Sequence, residues 1–273
     1  MALLKIPWLF TMISSTFNAL KYGWKTRRVW WFTSSARTRE RFARTTLGSF
    51  WLGFSNLLSI GILAVVYGTV FKVPDFNEYV VYLGLGLVIW NALASAALSA
   101  PGLLKNNAGN LKNTNLHAIF YSLEEWALQM QTFFQSFSLV LLVLCLFQPN
   151  LLLHLLVAGL LPLANLLLFI YWMPLLISIC GANYEDFFQF VPIMLQLLFL
   201  LSPILYKKEA LAHLSWAADF NPLYRILSNL RHALIEGSLQ SGQSLVLLLI
   251  NVLGILFSVW LLERQRYKFP FLA

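Results

Sequence analysis

Asn221-Pro-Leu-Tyr-Arg-Ile-Leu-Ser-Asn-Leu-Arg-His-Ala-Leu-Ile-Glu-Gly237 reads as a helix with both ends written into it. Asn221 can accept hydrogen bonds from the first free backbone N–H groups, and Pro222 fits the first helical position. Gly237 can take the left-handed conformation that closes the last turn. Leu223, Leu227, Leu230 and Leu234 fall on one face, while Arg225, Ser228, Asn229, Arg231, His232 and Glu236 lie off it. Such a helix is only about 22 Å long and too polar to cross a bilayer. Long apolar runs nevertheless flank it, the upstream one ending in Leu201-Ser-Pro-Ile-Leu-Tyr206. The stretch therefore reads as an amphipathic element held at a membrane face between two spanning helices.

The rest of the composition agrees. Of the 273 residues, 59% are hydrophobic and 11% charged, whereas a soluble domain carries about a quarter charged residues. The net charge of +8 could point to nucleic acid, but its placement argues otherwise. Nine of the nineteen Lys and Arg residues precede residue 45, beside Trp24, Trp30 and Trp31, which fits a membrane-surface segment better. Cys145 and Cys180 sit in apolar runs without C-x-x-C spacing and read as small buried hydrophobes.

Residues 1–20 resemble a signal peptide only superficially, because the apolar stretch is short and broken by Pro7. Ile13, Phe17, Leu20, Trp24 and Trp31 recur at helical spacing among Lys21, Lys25, Arg27 and Arg28, predicting an amphipathic helix lying in the interface. Residues 1–47 thus form a basic interface segment, and 48–273 an all-α domain of six spans. These are expected at about 48–71, 79–104, 127–147, 151–181, 187–206 and 244–262, with an amphipathic insertion at 207–243. Pro162 and Pro174 predict a kink in the overlong fourth span. The positive-inside rule favours placing both termini and the 105–125 loop in the cytoplasm. Only Lys72, Lys207, Lys208, Arg225 and Arg231 then remain outside.

Several chemistries are missing. There is no G-x-x-x-x-G-K-[ST], so the chain has no phosphate-cradling loop of its own. No Asp or Glu falls within the spans as drawn, whereas ion-driven carriers usually use intramembrane ionisable groups or broken, ion-coordinating helices. His117, His154, His213 and His232 lack ligand spacing, so no metal site is expected. His154 reads as a polar residue near an interface. A membrane protein lacking both an ATP site and an ion relay is either passive or driven by another subunit.

Arg44-Thr-Thr-Leu-Gly-Ser-Phe-Trp51 opening span one, Tyr79 through Trp90 in span two, Asn107-Ala-Gly-Asn-Leu-Lys-Asn113, Ser202-Pro-Ile-Leu-Tyr206 and Asn221-Pro222 together resemble the type-2 ABC transporter permeases. Within these, the chain is most similar to the branch that exports polysaccharides such as O-antigen, capsule and teichoic acid. Two loops depart from the family pattern: Phe120-Tyr-Ser-Leu-Glu-Glu-Trp126 lacks its prolines, and Tyr184-Glu-Asp186 lacks the arginine of an Arg-Asp pair.

The resemblance implies a homodimeric permease of the bacterial cytoplasmic membrane, flanked by separate ATPase subunits and moving a lipid-linked glycan. The chain itself would be no enzyme and hold no cofactor, with ATP and magnesium on the partner. The resemblance places ATPase coupling at Asn115, Leu116, Phe120, Tyr184, Glu185 and Asp186. It places the exit gate at Ser202, Pro203, Tyr206, Asn221, Pro222, Arg225, Leu227, Leu230 and Arg231. It also implies an aromatic conduit, for which Phe54, Trp90, Trp51 and Tyr82 are the candidates, since sugar C–H faces stack on rings without fixing one linkage. Tyr67 and Phe71 are weighed alongside them. Interface anchoring is the rival reading, strongest for rings near span ends. Two other functions stay open: an ABC permease for a drug or lipid, and an ATP-independent channel or membrane enzyme.

Overall fold

The structure is a computed structural model that describes residues 6–48, 50–70, 72–114, 116–208, 211, 213 and 215–271, with side chains from Ser14 onward. Among the described residues every regular element is helical.

The basic segment forms two helices, α1 (Ile6–Lys25) and α2 (Arg27–Phe42), where the sequence predicts one. They part at Thr26, whose hydroxyl bonds back to Tyr22 O at 2.9 Å, a local competition that favours a break. Phe17, Trp24 and Trp31 of the expected stripe are exposed, together with Phe32. The buried side is carried instead by Thr16, Ala19, Trp30, Ser34 and Thr38. That divides the segment as an interfacial pair requires, with rings outward and small or hydrogen-bonded groups against the bundle.

Then follow α3 (Phe50–Val70) and α4 (Phe76–Ser99), the latter capped by Asp75, whose Oδ1 accepts from Glu78 N at 3.1 Å. Two short helices, α5 (Leu103–Asn106) and α6 (Ala108–Asn113), lead to α7 (Ala118–Leu144). The fourth apolar run is α8 (Leu151–His154), a π turn at Leu155–Gly159, and α9 (Leu160–Asn183). The π turn lies just before Pro162 and widens the backbone where the proline ring would strike the carbonyl four residues back. The chain closes with α10 (Phe187–Leu201), α11 (Ser215–Phe220), α12 (Pro222–Glu236), α13 (Ser241–Gln265) and a 3₁₀ turn at Phe269–Phe271.

Five of these units are long and apolar enough to cross a membrane: α3, α4, α7, Leu151–Asn183 and α13. The fifth expected span is shorter than predicted. Helix α10 stops at Leu201 because Ser202 is extended (φ −91°, ψ 133°), the backbone forced on a residue that precedes proline. At 15 residues it covers about 22 Å of a roughly 30 Å core. Helices α7 and α13 run beyond the spans as drawn and take Glu124, Glu125 and Glu263 into helical structure. The apolar stretch of α4 is 72% buried against 17% for α3, so α4 is the central helix and α3 rides on one side of it. One end of the bundle carries α2, α5 and α6 (the basic end); the opposite, far end carries α8, α11 and α12.

Candidate functional site

Helix α12 has the caps its sequence specifies. Asn221 is extended (φ −77°, ψ 111°) and its Oδ1 accepts from Leu223 N at 3.0 Å; Pro222 starts the helix, and Gly237 is left-handed at φ 66°. The same Asn221 side chain turns its amide to Ser202, Nδ2 lying 2.8 Å from Oγ, while Ser202 Oγ donates to Leu198 O at 2.6 Å. The Ser-Pro and Asn-Pro dipeptides, nineteen residues apart, thus form one buried junction. It fixes the end of α10 to the start of α12.

The leucine stripe is buried as the spacing predicts, with Leu227, Leu230 and Leu234 fully so. Its seat is chiefly α4 and the α8–α9 unit, the second and fourth apolar runs, although the runs that flank it in sequence are the fifth and sixth. The polar side is less simple. Arg225 is exposed and reaches Asp219 O, whereas Asn229 and Arg231 are buried. Arg231 lies beneath Tyr82, its guanidinium carbon 3.7 Å from the ring centroid and its Nη1 donating to Pro203 O at 3.0 Å. Burial pulls the Arg231 pKa below its ordinary value, and the hydroxyls of Tyr82 and Tyr224 oppose that pull. Gly86 makes the space: a Cβ there would stand 3.2 Å from Arg231 Nη1 and 3.4 Å from the Ile204 side chain.

Tyr82 Oη lies 3.0 Å from Pro203 O and 3.1 Å from Tyr206 O; Tyr79 Oη donates to Leu205 O at 2.7 Å. Two tyrosines of α4 therefore satisfy carbonyls of the turn that follows α10. Beside Arg231 opens a hollow of about 450 Å³, bounded also by Tyr82, Tyr224 and Ser228. Its rim carries two ion pairs, Lys207–Glu78 (2.8 Å) and Lys208–Asp219 (2.6 Å).

The other end of α12 shows what His154 does. Its Nδ1 lies 2.8 Å from Leu234 O, and Gln148 Nε2 donates to Ile235 O at 3.0 Å. Both carbonyls belong to the last turn and lack partners within the helix. Nothing in the local sequence marks these two caps, nor the pairing within a buried amide ladder. In it Asn229 meets Ser244, Asn165 bonds Ser244 O, and Asn251 links Asn165 to Trp172. Single asparagines inside apolar runs were the available signal.

Residues 32–235, well over half of the chain, match the family described as ABC-2 type transporter. The chain belongs to the ABC-2 type transporter family. It is also 22% identical over 232 residues, 85% of its own length and 89% of the relative's, to the "O-antigen export system permease protein RfbA" of Klebsiella pneumoniae. The ABC-2 match brackets the far-end junction and α12 up to Ile235. A multi-pass membrane protein with an ABC ATPase as partner follows from that membership.

Of the residues set out for ATPase coupling in this ABC-2 transporter, Asn115 lies outside the described residues. Leu116 is exposed, but Phe120 is buried in a cluster with Trp30, Tyr121 and Ala127. Tyr184, Glu185 and Asp186 are exposed at the turn into α10. Glu185 pairs with Lys105, which joins the two loops and holds the Glu185 carboxyl below its ordinary range. Among the conduit candidates, Trp51 and Phe54 are exposed neighbours with centroids 5.8 Å apart. Trp90 is buried against Phe199 at 5.6 Å.

Proposed function

We propose that this chain is the permease subunit of an exporter that moves a lipid-linked polysaccharide, of O-antigen, capsule or similar type, across a bacterial cytoplasmic membrane. The observation that carries the reading is the similarity to an O-antigen export permease along 85% of this chain and 89% of the relative. The permease works as a homodimer with a separate ATPase that holds ATP and magnesium, and catalyses no reaction itself. Both termini and the basic end face the ATPase, an orientation supported by the concentration of Lys and Arg before residue 45. ATP-driven movement enters at the Lys105–Glu185 contact and the neighbouring loops. It leaves at the far end, where a shift of α10 reaches α12 through Ser202 and Asn221. The far-end rings and the exposed pair Trp51 and Phe54 give sugar C–H faces a sliding surface.

The test is a deletion strain carrying lipid-linked glycan, complemented with this chain and its ATPase. Glycan should reach the outer face only when both are present and the ATPase is competent to hydrolyse ATP. Transport of a drug or phospholipid with no glycan movement would overturn the reading.

A further inference from the structure

A second polar feature lies on the other side of α4, in its basic half. Asn91, Ser95 and Ser99 are spaced by four and form one exposed stripe. The other faces of the same turns bear fully buried Ile89, Leu93 and Ala96. Glu125, Gln129, Thr132 and Ser136 form a matching stripe on α7, and Asn56 projects from α3.

These groups bond edge to edge. Asn91 Nδ2 donates to Asn56 Oδ1 at 2.6 Å, and Asn56 Nδ2 to Ser136 Oγ at 2.6 Å. Ser95 Oγ donates to Gln129 Oε1 at 3.0 Å, and Gln129 Nε2 reaches both Ser99 Oγ (3.2 Å) and Glu125 Oε1 (2.9 Å). Between the three helices is an open hollow of about 170 Å³, with Arg41 at its edge. Arg37 closes the row by pairing with Glu125 at 3.2 Å. The α4 stripe rises about 12 Å and the α7 stripe about 16 Å.

Lipid is a poor neighbour for such a face. Each amide and hydroxyl turned toward hydrocarbon keeps hydrogen-bonding capacity that acyl chains cannot meet. Among the described residues that line the hollow, Arg41 is the one ionised group; Asn56, Asn91, Ser95, Gln129, Thr132 and Ser136 are all neutral. Neutral donors and acceptors in a row match a polyhydroxylated chain. Each sugar hydroxyl exchanges one partner for the next at little net cost, so the polymer is held without being trapped. None of the four aromatic conduit candidates lines this hollow.

We infer that the groove between α3, α4 and α7 is a water-filled lane in which Asn56, Asn91, Ser95, Gln129 and Ser136 hydrogen-bond the hydroxyls of the polysaccharide as it passes the basic half of the membrane. The inference rests on the polysaccharide reading above for its cargo.

The experiment uses the permease–ATPase complex in proteoliposomes. Cysteine in S95C should react with a charged, membrane-impermeant thiol reagent, and bound glycan should slow that reaction at least tenfold. The filled-groove variant S95W and the double variant N91L/S95L should lower glycan export at least tenfold while leaving membrane insertion and ATPase association unchanged. An S95C that reacts only with lipid-soluble reagents would overturn the lane, as would export at the parent rate from S95W. A disulfide between two S95C copies, with no protection by glycan, would make the groove a contact between protomers and equally overturn it. If the parent complex exports no glycan, the cargo reading fails instead; the S95C reaction still measures whether the lane is wet.

Discussion

The guanidinium carbon of Arg231 lies 3.7 Å from the ring centroid of Tyr82, and its Nη1 is 3.0 Å from the Pro203 carbonyl. One buried cation thus ties α12, α4 and the Ser-Pro turn together. Among the described residues no carboxylate pairs with it; the ring face, the Pro203 carbonyl and the hydroxyls of Tyr82 and Tyr224 stabilise it.

Removing that cation should therefore loosen three elements at once. Arg231→Ala is expected to cost about 3 kcal/mol, from a desolvated cation–π contact and a charge-assisted hydrogen bond. Tyr82→Phe keeps the stacking and loses only the hydroxyl, so it should cost about 1 kcal/mol. Thermal unfolding of the two variants in detergent measures the difference. Equal losses would mean that the hydroxyl, not the ring, holds Arg231.

Gly237 is constrained twice. Its φ of 66° is left-handed, and a Cβ there would stand 2.7 Å from the His154 ring. Gly237→Ala should cost about 1–2 kcal/mol for conformation alone, with the His154 clash added. In an H154A background the clash disappears and the penalty should shrink to the conformational part. A double-mutant cycle reads that coupling; a penalty unchanged by H154A would place the strain in the backbone only.

The Lys105–Glu185 pair is exposed, so its effect on stability is small and screened by salt. Glu185 has its folded pKa lowered, chiefly by the hydrogen bond from Lys105. What stability the pair gives is therefore complete above the ordinary carboxylate value of 4.5 and lost as pH falls through the depressed one. The sharper experiment is a charge swap. E185K alone sets like charges together, and K105E/E185K restores the pair. Recovery of ATPase co-purification by the swap is the expected result and marks a contact within the permease. A swap that stays as defective as E185K would show that Glu185 meets the ATPase directly.

How far the chain could be read depended on whether the signal was local. The caps of α12, its leucine stripe and the apolar runs are properties of consecutive residues, and all become helices, with the bounds of several runs shifted and the fifth cut short. What the sequence withheld is pairwise. Nothing in Ser202 or Asn221 alone announces that they share a hydrogen bond, nor does His154 show which carbonyl it serves. Arg231 lies off the leucine face, and its spacing gives a direction round the helix but not the neighbour met there. Phe120 is likewise turned into a cluster with Trp30 that only the packing of α2 on α7 creates. The stop at Leu201 is the opposite case, since Pro203 was visible and its effect on Ser202 is a local rule.

The last prediction concerns the ladder under α12. Asn229 Nδ2 lies 3.0 Å from Ser244 Oγ, and Asn165 Nδ2 donates to Ser244 O at 2.9 Å. Asn251 Nδ2 reaches Asn165 O at 3.0 Å, and Trp172 Nε1 donates to Asn251 Oδ1 at 2.9 Å. If α12 were held by its leucines alone, it could slide on α4 and α9 with little penalty. The ladder instead fixes its register against the first turn of α13. Its members are not equivalent. Asn229→Ala removes one exchange with Ser244, whose hydroxyl then has few alternatives, and should cost about 1 kcal/mol. Asn165→Ala orphans the side chain of Asn251 in part and removes the second donor to Ser244 O, which keeps only its helical bond, so it should cost about 2 kcal/mol. Asn165→Leu, which fills the volume, should recover little, because the loss is of partners rather than packing. Unfolding of the three variants in one detergent gives the order. If Asn165→Leu proves as stable as the parent, the ladder is dispensable and the leucine stripe seats the helix with its other tethers, Asn221, Arg231, His154 and Gln148.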